Sequence, residues 1–190
     1  MDALDLLLTR ESALKLDAPA PSEADLDKMF QSAVRAPDHG RLRPWRFVVI
    51  EGDKRARLGD LMADAMRNRD PNVSEDMLVR ERAKPLRAPT IVVAAARVQK
   101  GHRIPECEQI ASAAAATQNI MLAAHALGYG AMWKTGEPAY DPTVKTALGL
   151  NADDEIMGFL YLGTNTGTGA PASRPAPRPA ARDQVTVWAG

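Results

Sequence analysis

The sequence predicts a mixed α/β or α+β chain, and three observations carry that reading. Short apolar runs at 46–51, 90–95, 131–133 and 156–162 have the length and β-branched content of strands. Helical patterns surround them in the order helix, helix, strand, helix, helix, strand, long helix, strand, helix, strand. That order lacks the strict strand–helix alternation of a doubly wound fold. The longest helix is also the most unusual: eight of the sixteen residues from 111 to 126 are alanine. Small side chains let another backbone approach closely, so this helix is expected to be central and tightly packed.

Each element has a local cause. Residues 2–9 place Leu4, Leu7 and Leu8 on one helical face, and Arg10-Glu11-Ser12 follows its end. Ala18-Pro19-Ala20-Pro21 is a stiff, extended connector. Ser22 opens the second helix with Asp25 three residues on, a weak form of the capping box. Leu26, Met29, Phe30, Ala33 and Val34 form its apolar face, and Ala36-Pro37 stops it. A loop rich in polar side chains runs from Asp38 to Trp45 and leads into the strand at 46–51. Residues 53–68 form a charged helix with Leu58, Leu61, Met62 and Met66 inward. The stretch 71–89 is polar and reads as mobile, helical between 74 and 83, ahead of the strand at 90–95. The long helix covers 106–127, and Gly128-Tyr129-Gly130 ends it with a glycine available for a left-handed cap. A short strand, 131–133, runs into Lys134-Thr135-Gly136. Asp141-Pro142 opens a small helix. After the strand at 156–162 the tail is rich in Gly, Pro and Arg, then ends on Val185-Thr186-Val187-Trp188, an apolar stretch suited to adding a strand elsewhere, a partner's sheet included.

Composition narrows the function classes. A chain of 190 residues reads as one domain over 1–190 with a core that needs no disulfide or metal. Twenty-four basic residues balance twenty-four acidic ones, which argues against a polybasic nucleic-acid binder. A 45% hydrophobic content without charge excess argues against disorder. Cys107 is the only cysteine, so neither an intrachain disulfide nor a cysteine-based zinc cluster is available. A lone thiol and a start without a basic signal region fit a cytoplasmic setting. The apolar stretch 111–126 contains Gln118, Asn119 and His125 and is too short to span a bilayer, so no membrane association is expected. His102, Glu106, Cys107 and Glu108 lie close in sequence but hold no pair of histidines at helical spacing, so no metal site is expected. There is no Gly-x-Ser-x-Gly nucleophile elbow.

Several segments carry binding chemistry. Arg10 and Ser12 pair a guanidinium fork with a hydroxyl, which suits a phosphate or ribityl chain, although a surface arginine beside a turn serine looks the same. Asp38, His39, Arg41 and Arg43 sit between Pro37 and Pro44, which would hold them in fixed positions. His39 there is either a ligand donor or a loop-stabilising group. Trp133-Lys134-Thr135-Gly136 lies at the C-terminal end of a strand, a common place for ligands, and also fits an ordinary strand-to-loop turn. The glycine-rich 163–169 is not followed by a helix, so it lacks the helix N-terminus that a phosphate loop requires. Arg174, Arg178 and Arg182 remain as tail cations, either solvated or turned to a phosphate.

Taken in order, these segments resemble the nitroreductase family of flavoproteins, in its minimal short-chain branch. The marks are Arg10-Glu11-Ser12; Arg35-Ala36-Pro37-Asp38-His39 followed by Arg43-Pro44-Trp45-Arg46-Phe47; Ala124-His125-Ala126-Leu127-Gly128-Tyr129-Gly130; Trp133-Lys134-Thr135-Gly136; and Gly158-Phe159-Leu160-Tyr161-Leu162-Gly163. The resemblance covers nearly the whole chain. It implies an α+β, three-layer α/β/α sandwich and an intertwined homodimer with the alanine-rich helix at its core, binding one FMN at each of two interface sites. Arg10 and Ser12 would hold the phosphate and ribityl end, with Glu11 contributing backbone. Arg35 and His39 would reach the flavin of the other subunit. Trp133, Lys134, Thr135 and Gly136 would line the isoalloxazine edge, and 124–129 would meet the nicotinamide donor.

Three departures from the family pattern stand out. Glu11 replaces a common arginine. Leu14 replaces a basic residue, for which Lys15 can substitute. The lysine after the last strand is missing, with Arg174 the candidate to replace its charge near the phosphate. The implied activity is FMN-dependent NAD(P)H oxidation by a ping-pong mechanism, with a nitro compound, quinone or other small electrophile as acceptor. No catalytic side chain is needed, because the flavin carries the chemistry. Lys134 or Lys15 would place charge at the flavin's pyrimidine edge. A non-catalytic flavin-binding or storage module, or a different flavin chemistry on the same scaffold, fits the same motifs.

Overall fold

The apolar runs of the sequence meet in an antiparallel sheet, where β-branched and aromatic side chains pack well on a pleated surface. The computed structural model describes residues 2–167 and 180–190. Strand β2 (Trp45–Glu51) pairs with β3 (Thr90–Ala96), β3 with β5 (Glu155–Asn165), and β5 with β4 (Gly130–Lys134), all antiparallel. A two-residue strand, β1 (Leu16–Asp17), is absent from the sequence reading because it is too short to have a period. It pairs with the last residues of β5, Leu16 opposite Asn165.

The helices are α1 (Ala3–Thr9), α2 (Glu23–Ala33), α3 (Lys54–Arg69), α4 (Glu75–Ala83), α5 (Glu106–Ala126) and α6 (Pro142–Ala147). Side-chain oxygens of Asp2, Ser22, Ser74 and Asp141 accept from free backbone N–H groups at the starts of α1, α2, α4 and α6. Ser22 therefore caps its helix as its sequence position implies. Asp25 does not reach back to the Ser22 backbone as in a full capping box; its carboxylate accepts from the Ser22 hydroxyl.

Alternation along the strands sorts side chains onto two faces. Val92, Leu160 and Leu162 point to one face, covered by α2 and α5. Ile91, Val93, Phe159 and Tyr161 point to the other, where Leu58, Met62 and Ala65 of α3 and Val144 of α6 meet them. The result is the expected α+β arrangement of three layers, α/β/α. β3 is buried along its whole length, which is why 90–95 reads as an uninterrupted apolar run.

The stretch 71–89 differs from its reading as mobile. Leu78, Glu81, Pro85 and Ala88 are buried, and α4 packs along α3. Its polarity reflects one thin inward stripe under a charged outer surface. The alanine-rich helix is central, as its composition implies. Ala113, Ala116, Ile120, Met121 and Ala124 face the sheet and α2, and Asn119 Nδ2 donates to the Ser32 carbonyl of α2 at 3.0 Å. Residues 185–188 form no strand within their own chain, and Val185, Val187 and Trp188 are exposed. No helix among the described residues is long and apolar enough to cross a membrane.

Candidate active site

Strand β4 organises the site, with a cavity at each of its ends. At its start, residues 10–17 lie against the sheet. The Ala13 N–H donates to the Ala131 carbonyl at 2.9 Å, and the Lys15 carbonyl accepts from Thr166 at 3.2 Å. This places Glu11 beside Met121, His125, the 128–131 turn and Asn165, around a cavity of about 400 Å³. The turn is pinned from α2, where Asp25 accepts from the Tyr129 hydroxyl at 2.9 Å. Hydrogen bonds from Lys28, Ser22 and Tyr129 hold the Asp25 carboxyl down at about 2. Arg10 and Ser12 flank Glu11 at this end, Arg10 half-buried and Ser12 exposed.

The finishing end of β4 opens on a second cavity, of about 390 Å³, within the size range of ligand pockets. Lys134, Thr135 and Gly136 form one side. Lys84, Arg87 and Glu81, from the end of α4 and the turn after it, form the other, with Phe159, Tyr161, Met62 and Pro138 between them. Glu81 is 2% exposed. Its Oε2 accepts from Lys84 Nζ at 2.5 Å, while its Oε1 is buried without a hydrogen-bond partner among the described residues. Burial pushes the Tyr161 phenol up to about 12; Arg87 offsets this in part and Glu81 adds to it. Tyr161 therefore stays a neutral hydroxyl.

A third group lies elsewhere in the protomer. His39 Nδ1 sits 2.6 Å from Glu108 Oε2, tying the loop after α2 to the first turn of α5. Asp38 accepts from the Leu42 and Arg43 N–H groups at 3.2 and 2.8 Å. Gly40 takes φ 71° directly beneath Ile104, where a Cβ would stand 2.2 Å from the Ile104 Cδ1. Asp38 and Gly40 thus hold the loop in place. Arg35 borders a shallow groove on the outer side of α5 with Leu6, Asn119 and Leu122.

The structure brings Lys134, Thr135 and Gly136 together, sets Arg10, Glu11 and Ser12 at the opposite end of the same strand, and leaves Arg35 and His39 apart from both. Trp133 is turned to the other face of β4. Its Nε1 donates to the Met157 carbonyl at 2.8 Å, and its indole lies where a Cβ on Gly158 would clash at 2.2 Å. Its side chain therefore anchors β4 to β5 and does not line the cavity beyond Lys134. Lys15 pairs with Asp17 at 3.4 Å in solvent and does not line the Lys134 cavity. Arg174 lies outside the described residues. Sequence reasoning missed Glu81, Lys84 and Arg87. Their spacing of three, just ahead of a buried strand, is the signal that one helical face carries all of them.

The cavities fit a flavin in two respects visible in this chain: a buried carboxylate in the wall with one oxygen left without a partner among the described residues, and exposed backbone at Gly136 flanked by cations. "Putative NAD(P)H nitroreductase YdjA" of Escherichia coli (strain K12) is 39% identical over 165 residues, 86% of this chain and 88% of that protein. Among solved structures, the nitroreductase-like family protein from Bacillus cereus superposes with a TM-score of 0.82 at 23% identity, over 100% of this chain and 97% of the other. A variant of the FMN and NADPH-dependent nitroreductase NfnB from Sphigopyxis sp. strain HMH gives 0.78 at 20% identity over 100% of both chains. With the "Nitroreductase family" profile matching residues 7–164, and with a sheet, layers and helix order that those structures share, the chain belongs to the nitroreductase family of oxidoreductases.

Proposed function

We propose that the protein is an FMN-dependent NAD(P)H oxidoreductase that passes electrons by a ping-pong mechanism to nitro compounds, quinones or related small electrophiles. The observation that carries this reading is the cavity at the end of β4, where Lys134, Thr135 and Gly136 meet Lys84, Arg87 and the buried Glu81. The relative at 39% identity carries NAD(P)H nitroreductase in its name, and a fold neighbour carries FMN and NADPH in its own.

When bound, FMN supplies hydride acceptance from a nicotinamide and its return to an acceptor. The chain's residues bind and orient. Arg10 and Ser12 hold the phosphate end beside the start of β4, with Glu11 contributing backbone. Lys134, Thr135 and Gly136 border the ring at its finish, with the backbone of Trp133 leading into them. β4 spans about 13 Å between these groups at the usual strand rise, which suits a long ligand with one anionic end. Lys84, Arg87 and Lys134 place positive charge where negative charge develops. Tyr161, neutral and almost fully buried, keeps the cavity wall from adding an opposing anion. Residues 124–129, beside the first cavity, are the proposed contact for the nicotinamide donor, and Arg174 is the proposed tail cation for the phosphate.

A homodimer completes this reading. Arg35 and His39 face away from the cavities of their own protomer, so their proposed target is the partner's flavin. Leu4, Leu7 and Leu8 of α1 and the apolar residues Val185, Val187 and Trp188 are exposed, an excess that marks contact surface. The tail at 185–188 is proposed to join the partner's sheet. One nitroreductase unit over 1–190 acting in the cytoplasm is the remaining part of the proposal.

The test is anaerobic titration. Purified protein should carry or take up FMN and show flavin absorbance, bleach with NADH or NADPH, and recover colour when a nitroaromatic or quinone is added. Colourless protein that ignores added FMN refutes the reading. Yellow protein that NAD(P)H does not bleach points to a flavin-binding module. Light scattering that finds a stable 20.5 kDa monomer with flavin bound refutes the dimer.

A further inference from the structure

We infer that Glu81 is a charge-compensating residue of the flavin cavity, cancelling Lys84 so that the cavity's preference for reduced over oxidised FMN is held down. The inference rests on the proposed function and adds a control to the same site.

Among the described residues that line the cavity there are three cations, Lys84, Arg87 and Lys134, and one carboxylate, Glu81. Glu81 is the least exposed of the four. Its place in the last turn of α4 sets it under Lys84, three residues on, and the two form a hydrogen-bonded ion pair. Burying a carboxylate with one oxygen unpaired is costly, so packing alone does not account for Glu81. The pyrimidine ring of an oxidised flavin offers a ring N–H between two carbonyl oxygens. Ammonium and guanidinium groups would suit the carbonyls, and the Glu81 carboxylate beside them would balance their charge.

The electrostatic consequence follows from the count. Without Glu81 the lining carries three positive charges; with it, two. Reduced FMN carries additional negative charge on its pyrimidine ring, and in a shielded cavity each adjacent charge acts strongly on it. Three uncompensated cations would bind the reduced cofactor much more tightly than the oxidised one and so make its electrons harder to pass on. Glu81 limits that trap. The influence of both Glu81 and Arg87 on the Tyr161 phenol places these groups within electrostatic reach of the same point.

The experiment measures the FMN midpoint potential of the FMN-loaded protein anaerobically against a reference dye, which reports the ratio of affinities for reduced and oxidised FMN. Glu81→Gln keeps the shape and removes the charge. It should raise that ratio at least tenfold, an upward shift of about 30 mV for a two-electron couple. Lys84→Gln removes the compensated cation and should move the ratio at least tenfold the other way. The double variant should return toward wild type. If FMN binds wild-type protein but Lys84→Gln, or a folded Glu81→Gln, leaves the ratio within a factor of two, the inference is overturned while the functional reading stands. Wild-type protein that takes up no FMN overturns the functional reading and this inference with it.

Discussion

On the α2–α5 side of the sheet the helices bury no charged residue; on the α3–α4–α6 side Glu81, Asp141 and Lys145 are buried beside an apolar core. The first side is closed by Leu26, Met29, Ile120 and a row of alanines, and its buried polar groups are uncharged: Thr117 bonds within its own helix, and Gln109 donates to the Gln99 and Ile104 carbonyls. On the second, charge is held by pairing: Asp141 accepts from Arg69 at 2.7 Å, Lys145 lies 3.5 Å from Glu155, and Glu81 holds Lys84. Each of these pairs joins one buried group to a partly exposed partner, so the buried charge is compensated at the edge of the core. The buried charges lie on the second face, and the cavity with Lys134 opens there.

That contrast can be broken by substitution. The largest expected effect is on the apolar face. Met29→Ala removes a side chain with no exposed surface and should cost about 2–5 kcal/mol of stability, read as a lower urea midpoint. FMN affinity of the protein that remains folded should be unchanged. A comparable loss of affinity would mean that the two faces are not separate in function.

On the charged face the signs should reverse. Lys134→Met should weaken FMN binding roughly ten- to hundredfold, the range for one charge-assisted hydrogen bond. Its stability should move by less than about 0.5 kcal/mol, as at other exposed positions. Fluorescence titration of apoprotein with FMN and a melting curve read the two quantities. Unchanged affinity would remove Lys134 from the site.

The smallest effect concerns pH. The Tyr161 phenol titrates near 12 in the folded protein against 10.0 for an unperturbed tyrosine, so the unfolded chain ionises first. Its contribution to stability is intact below about pH 10 and lost as pH rises toward 12. Tyr161→Phe should flatten this part of the stability profile. An identical alkaline slope in both proteins would show that the phenol faces more solvent than its burial implies.

Most of the fold was legible along the chain. The strand at 90–95 extends one residue further in the structure, and the helices at 53–68 and 106–127 shift by a residue at their ends. Their patterns are long enough for burial to leave a clear period. The site was half legible. Lys134, Thr135 and Gly136 stand out because a strand ends on them. The opposite sides of Trp133 and Lys134 also follow from strand alternation. Glu81, Lys84 and Arg87 did not stand out, because a charged helical face reads as solvated unless something is known to cover it.

The sequence by itself determined the elements, their caps and the family, since each rests on short-range patterns or on residues in a fixed order. Only the tertiary structure decided that a polar segment read as mobile forms one wall of the cavity. Only it decided that Lys15 stays in solvent with Asp17, and that the buried carboxylate of Glu81 lies among the three cations. The first and last of these depend on α4 packing along α3, which sets the residues at its end opposite Lys134 across the cavity. Burial is a property of neighbours distant in the chain, and no local pattern of charge encodes it.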